Sequence, residues 1–206
     1  RLQRSDLSYS AVADQLGVLF FVKPANLGSS VGISKVHEEG EFLPAIADAF
    51  AYDDKILIEE NIRGREIECS VLGNEDPIAS GLGEIVPKHE FYSYEAKYLD
   101  ENGAILKIPA DLPEDVVKEV KDVAIRSFKA LCCEGLARVD LFLTEKNEVI
   151  LNELNTIPGF TRISMYPKLW EASGMPCTEL VDRLIQLAID RYEREQKLKT
   201  SYDDEG

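Results

Sequence analysis

The sequence predicts an α+β protein built mainly on antiparallel sheet. Three observations carry that expectation. Strand-like runs fall next to one another without a helix between them, most clearly at 136–144 and 148–156. Helical periodicity is confined to a few well-separated segments. No regular strand–helix–strand alternation, the pattern of a parallel sheet, runs along the chain.

The elements follow in order. RLQRSDLSYSAVADQLG (1–17) reads as a loop and a short amphipathic helix. VLFFVK (18–23) is a buried strand ended by Pro24, which has no N–H to give to a ladder. ANLGSSVG is a loop, ISKV a short strand, and EEGEFLPAIADAF (38–50) a helix with apolar residues at helical spacing. KILIEE (55–60) is the next strand. REIECSVLG (65–73) alternates, with Ile67, Cys69 and Val71 on one face, and PIASGLGEIVP is a further β segment. Residues 88–103, polar and aromatic without a period, form a long loop. ILKIPADLPEDV is a strand closed by proline. A helix over 114–133 follows, with Val116, Val120, Val123, Ala124, Phe128 and Leu131 on one face. LARVDLFLT and EVILNELNT form a hairpin around EKN. After it come a loop with a short helix, the long helix in TELVDRLIQLAIDRYEREQKLK, and a frayed tail, SYDDEG.

Composition narrows the chemistry. The formal net charge of −15 repels a polyanion, so nucleic acid is not the expected partner. The two histidines, His37 and His89, sit among acidic and polar neighbours, which disfavours a His-based triad or a His-rich zinc site. The four cysteines, Cys69, Cys132, Cys133 and Cys177, make no C-x-x-C pair. No signal peptide and no apolar run of about 18 residues are visible, so reduced thiols, a cytoplasmic location and no membrane contact are expected. The chain starts at Arg1 rather than Met, which reads as a piece of a longer one.

The hairpin carries the sharpest chemical signal. If Thr144 pairs with Val149, then Asp140 lies opposite Glu153 and Arg138 opposite Asn155. Arg138, Asp140, Phe142, Leu151, Glu153 and Asn155 then share one face, and Val139, Leu141, Leu143, Ile150 and Leu154 share the other. Two carboxylates directly opposed are destabilising, and a divalent cation between them removes that cost. Asp, Glu and Asn oxygens suit Mg²⁺ or Mn²⁺. The same pattern also suits the solvated face of an edge hairpin. Asn155-Thr156-Ile157-Pro158-Gly159 aims a rigid loop at that place. Lys23, at the end of an apolar strand, can reach a buried phosphate or snorkel to solvent. Gly28-Ser29-Ser30-Val31-Gly32 offers backbone N–H groups and hydroxyls to an anion, but it is no Walker A loop and equally suits a hairpin turn. EENIRGRE (59–66) is either a base- and ribose-binding hinge or a charged exposed turn.

Taken together, FVKPANLGSSVGISKV, ILIEENIRGREIECSVLGN, FYSYEAKY, LARVDLFLT and NEVILNELNTIPGFTRISMYPKLWEASG resemble the D-alanine–D-alanine ligases in order and spacing, over nearly the whole chain. The resemblance implies the ATP-grasp fold, in which two α+β lobes of mostly antiparallel sheet with flanking helices clasp ATP. It implies a partial small lobe over 1–60 and a large lobe over 61–206 carrying a lid at 88–103. The family's N-terminal domain is absent from this sequence. The implied reaction is ligation of two D-alanines through an acyl phosphate, for peptidoglycan synthesis.

The implied roles come residue by residue. Lys23 and Lys97 contact ATP phosphate; Glu59, Glu60 and Ile62 hold adenine, with Phe142 packed on the base; Glu66 holds the ribose. Asp140, Glu153 and Asn155 bind two Mg²⁺ (or Mn²⁺). Arg138 and Gly159 stabilise the oxyanion and phosphoryl groups, Ser29 and Tyr98 close over the substrates, and Ser164 and Met165 contact the second D-alanine. Relatives that make D-alanyl-D-lactate typically carry His in the lid, whereas Tyr98 follows Lys97 here, so D-alanine is the expected second substrate. The resemblance leaves a homodimer open, and the chain alone is expected to turn over little. A non-catalytic nucleotide-binding module and an ATP-grasp ligase for another acid are the alternatives.

Overall fold

The structure, a computed structural model, describes residues 8–87 and 104–199. The expectations for the lid at 88–103, including Lys97 and Tyr98, and for the tail at 201–206 lie outside the described residues. Apart from the strand-end residues 87, 104 and 105, the described residues fall into two compact units, one over 8–63 and one over 64–86 and 106–199.

The first unit is a three-stranded antiparallel sheet with two helices. The strands are β1 (Phe20–Pro24), β2 (Ser34–Val36) and β3 (Ile56–Glu60), in the order β2-β1-β3. Helix α1 (Tyr9–Leu16) starts at Ser8, whose Oγ accepts the Ala11 N–H, and α2 is Glu39–Tyr52. Alternation in β1 buries Phe20 and Val22 against Val12, Phe42, Ala45, Ile46 and Ala49 from the helices. Lys23 is thereby left on the opposite face. The Gly-Ser segment is the connection between paired strands β1 and β2, with Ser29, Ser30 and Gly32 all at positive φ. At Gly32 a Cβ would press on the Tyr52 ring at 2.6 Å, so the turn requires glycine there.

The second unit is a five-stranded antiparallel sheet, ordered β6-β5-β4-β7-β8. Its strands are β4 (Gly64–Gly73), β5 (Ile78–Pro87), β6 (Ala104–Lys107), β7 (Gly135–Thr144) and β8 (Val149–Asn155). Helix α3 (Glu114–Ala130) lays Val116, Val120, Ala124 and Phe128 on Ile67, Cys69, Val71, Val139, Leu141 and Leu143. Leu131, expected on that face, lies past the last turn and is exposed. Helices α4 (Met165–Ala172) and α5 (Cys177–Glu195) make a second core with Leu72, around Tyr166, Trp170, Leu180 and Leu187. The alternation of β4 thus marked one buried face, whereas burial from Ile67 to Gly73 is continuous because the middle of the sheet is covered on both sides. Asn74 ties the layers: its amide donates to the Leu187 carbonyl at 3.0 Å and accepts the Gly135 N–H at 3.1 Å.

The hairpin register corrects one expectation. Val149 pairs with Leu143, not Thr144, yet Asp140 pairs with Glu153 and Arg138 with Asn155. A bulge between Asp140 and Leu141 reconciles the two, with Asn152 as the extra residue on β8. Consequently Ile150 stands opposite Phe142 and Leu151 opposite Leu141, the reverse of the expected faces. The turn itself is built by Asn147 at φ 61° and by Thr144 Oγ1, which accepts the Lys146 and Glu148 N–H groups.

Candidate active site

The sheet face of the second unit away from α3 gathers the polar residues. Cross-strand pairing places Glu66 beside Phe142, Glu68 beside Asp140 and Ser70 beside Arg138. On the other side of β7, Asp140 meets Glu153 and Arg138 meets Asn155. Three acidic positions, Glu68, Asp140 and Glu153, therefore stand in one row across three adjacent strands.

Arg138 and Asn155 offset the like charges. Arg138 donates to Asp140 from Nε and Nη2, both at 2.7 Å, and its Nε lies 3.2 Å from Glu68 Oε2. Asn155 Nδ2 donates to Asp140 Oδ2 at 2.9 Å and to Glu153 Oε1 at 3.4 Å. Burial alone would make the Arg138 cation easier to deprotonate, but the hydrogen bonds to Asp140 and the charges of Asp140, Glu68 and Glu153 outweigh it and hold the proton more firmly than usual. The cost of opposing Asp140 and Glu153 is thus met in part by the protein's own donors.

The set can still hold a hard cation. One atom, Asn155 Nδ2, is within reach of oxygens from both carboxylates, so Asp140 and Glu153 can address a common point. The available donors are carboxylate and amide oxygens, the kind Mg²⁺ and Mn²⁺ prefer. Among the described residues no three His, Cys, Asp or Glu side chains form a ligand group; the set is two carboxylates and an amide.

After β8 the chain turns through 156–164 and returns to the sheet. Ser164 precedes α4, and its Oγ accepts the Thr161 N–H at 3.0 Å; a Cβ on Gly159 would lie 2.9 Å from that Oγ. Met165 is buried, and its methyl end occupies the space that a side chain at Gly83 would fill. Ser70 Oγ donates to the Tyr166 carbonyl at 3.2 Å, so β4 and β5 together seat this segment.

The remaining candidates lie in the first unit. Lys23 Nζ pairs with Glu59 Oε2 at 2.7 Å, on one face of neighbouring strands β1 and β3. Glu60 is exposed and Ile62 half-buried where β3 gives way to Arg63, and Ser29 is exposed in the β1–β2 connection. Sequence reasoning missed Glu68. Its signal was the polar half of the β4 alternation, Glu66-x-Glu68-x-Ser70, but nothing in the sequence says that β4 lies beside β7.

Residues 2–186 match the family described as D-ala D-ala ligase C-terminus. The chain is 60% identical to a D-alanine--D-alanine ligase of Shouchella clausii over 98% of its own length and 55% of that protein's. It superposes with a TM-score of 0.83 on the D-alanine-D-alanine ligase structure from Coxiella burnetii, at 47% identity, covering 95% of this chain and 52% of that one. The VanG D-Ala:D-Ser ligase structure from Enterococcus faecalis gives a TM-score of 0.78 at 37% identity, over 86% of this chain and 52% of that one. The chain thus spans about half the length of the curated relatives it matches. Its fold is that of the ATP-grasp proteins, as in these neighbours. By sequence over most of its length and by structure, the chain belongs to the D-Ala–D-Ala ligase C-terminal family.

Proposed function

We propose that this chain is the ATP- and metal-binding portion of an enzyme that joins two D-alanines at the expense of ATP, for peptidoglycan synthesis in the cytoplasm. The observation that carries the reading is the Arg138–Asp140–Glu153–Asn155 cluster on one sheet face. The family to which the chain belongs is named for a carboxylate–amine ligation, a reaction that a cation flanked by oxygen donors suits.

The reaction has two steps. The first D-alanine carboxylate attacks the γ-phosphoryl of ATP, giving an acyl phosphate and ADP. The amine of the second D-alanine then attacks the acyl carbon, loses a proton, and phosphate leaves. These steps ask for charge neutralisation and alignment more than for a titrating base. Arg138 is the fixed cation of the cluster, held fully charged, and is assigned to the developing oxyanion and phosphoryl charge. Asp140, Glu153 and Asn155 would hold two Mg²⁺ or Mn²⁺ ions, which supply Lewis-acid neutralisation of the phosphates. Lys23, Glu59, Glu60 and Ile62 are assigned to the nucleotide, as are Glu66 for the ribose and Phe142 for the base. Gly159, Ser164 and Met165 are assigned to the substrates; Met165 being buried, Ser164 and the backbone supply that contact. Ser29, Lys97 and Tyr98 complete the set, the last two outside the described residues. Among the described residues no helix is long and apolar enough to cross a membrane.

Phosphate release from ATP, Mg²⁺ and D-alanine, measured on the protein in its natural length, tests the reading. Glu153→Gln is expected to raise the Mg²⁺ needed for half-maximal turnover at least roughly tenfold. Turnover with D-serine or another acid but not with D-alanine would assign the site to a different substrate. Nucleotide binding without turnover would leave only a binding module.

A further inference from the structure

Glu68 is an expensive residue for its position. It is 5% exposed, in the middle of β4. A buried carboxylate is destabilising unless a charged partner offsets its desolvation. Its cross-strand neighbour on one side is Asp140, a second acid, and on the other Gly83, which has no side chain. The Met165 methyl, packed where a Gly83 side chain would stand, closes that flank. Among the described residues Arg138 forms an ion pair with Glu68, its Nε 3.2 Å from Oε2, while the Nε–H itself is donated to Asp140 Oδ1.

Arg138 is already doubly bonded to Asp140. If Asp140 were its sole anchor, an apolar residue at 68 would avoid both the burial cost and the like-charge opposition. Asp140 is also the carboxylate assigned above to a cation. A carboxylate that neutralises a cation has less charge left for a guanidinium, and Arg138 would be freed to swing. Glu68 approaches Arg138 from the opposite strand and is too deep to turn to solvent, so its hold does not depend on what Asp140 binds.

We propose that Glu68 is a positioning residue: from β4 it fixes the Arg138 guanidinium independently of Asp140, so that Arg138 stays aimed at the transferring phosphoryl group while Asp140 serves the cation. The inference rests on the ligase reading for its consequence in turnover, but not for the hold of Glu68 on Arg138.

The test is a double-mutant cycle with Glu68→Gln and Arg138→Lys, supported by a readout that needs no turnover. In the natural-length protein, Glu68→Gln is expected to lower kcat about tenfold, a loss of about 1.4 kcal/mol in transition-state stabilisation, with little change in KM for ATP. In the Arg138→Lys background, Glu68→Gln is expected to cost no more than about twofold. The Arg138 side-chain Nε–H resonance, assigned by its loss in Arg138→Lys, is expected to exchange with solvent faster in Glu68→Gln. An equal kcat loss in both backgrounds, or wild-type kcat in Glu68→Gln, overturns the proposal. If the wild-type protein does not ligate D-alanine, the ligase reading fails and the Nε–H signal decides alone: unchanged exchange in folded Glu68→Gln overturns the positioning role, and accelerated exchange supports it. Glu68→Asp, which keeps the charge on a shorter arm, replaces Glu68→Gln should the latter not fold; exchange faster than wild type supports the proposal and unchanged exchange overturns it.

Discussion

Neutralising Glu84 should destabilise the second unit in a way that acid erases. Glu84 sits on β5, nearly fully buried, and accepts from Arg65 Nε and Nη2 at 2.8 and 2.9 Å, with Lys107 Nζ at 3.4 Å. Arg65 also donates to the Asp111 carbonyl at 3.0 Å, so the pair links β4, β5, β6 and the approach to α3. Removing one partner of a fully buried pair costs about 3–5 kcal/mol. Arg65 is 38% and Lys107 51% exposed, so water takes over part of their solvation. Glutamine also keeps one acceptor oxygen. The expected loss for Glu84→Gln is therefore about 2 kcal/mol. Trp170, the sole tryptophan, is buried in the same unit and reports its unfolding in urea. With a slope of about 2 kcal/mol per molar, the midpoint at neutral pH should fall by about 1 M. The hydrogen bonds from Arg65 hold the Glu84 carboxyl below the usual glutamate range, with the Arg65 and Lys107 charges adding to them against burial. Because the folded value is the lower one, this stabilisation is present above about pH 4.5 and is lost as pH falls through the folded value. The wild type should lose its advantage over Glu84→Gln below that point. Equal midpoints at pH 7, or a gap that persists into strong acid, would refute the argument.

Other outcomes follow from particular contacts. Gly83→Ala places a methyl against the ends of Met165 and Leu169; urea midpoints should show a loss of about 1–3 kcal/mol, and the KM for the second substrate should rise because Met165 opens α4. Phe142→Ala should raise the KM for ATP with kcat nearly unchanged, the mark of an interaction equal in ground and transition states. Asn74→Ala leaves the Gly135 N–H and the Leu187 carbonyl without their side-chain partner and should cost about 1–2 kcal/mol in the same urea assay.

The candidate site was partly legible in the chain. Arg138, Asp140, Glu153 and Asn155 lie on two strands joined by a short turn, so local pairing alone brings them together. The expected turn register was one residue off, but the bulge at Asn152 restored the pairing that matters. Glu68 was illegible for the opposite reason: its partner lies seventy residues away on a strand that joins β4 only through the sheet order.

By itself the sequence determined the strands, the helices and the two-sided character of the hairpin, because periods of two and 3.6 residues are local properties of the backbone. With two histidines in the chain, composition also pointed away from histidine-based chemistry. Tertiary structure decided which strand lies next to which, that β4 is buried on both faces, and that Arg138 is shared between two carboxylates. Those are consequences of packing between distant segments, and no local pattern encodes the distance between residues that the fold brings together.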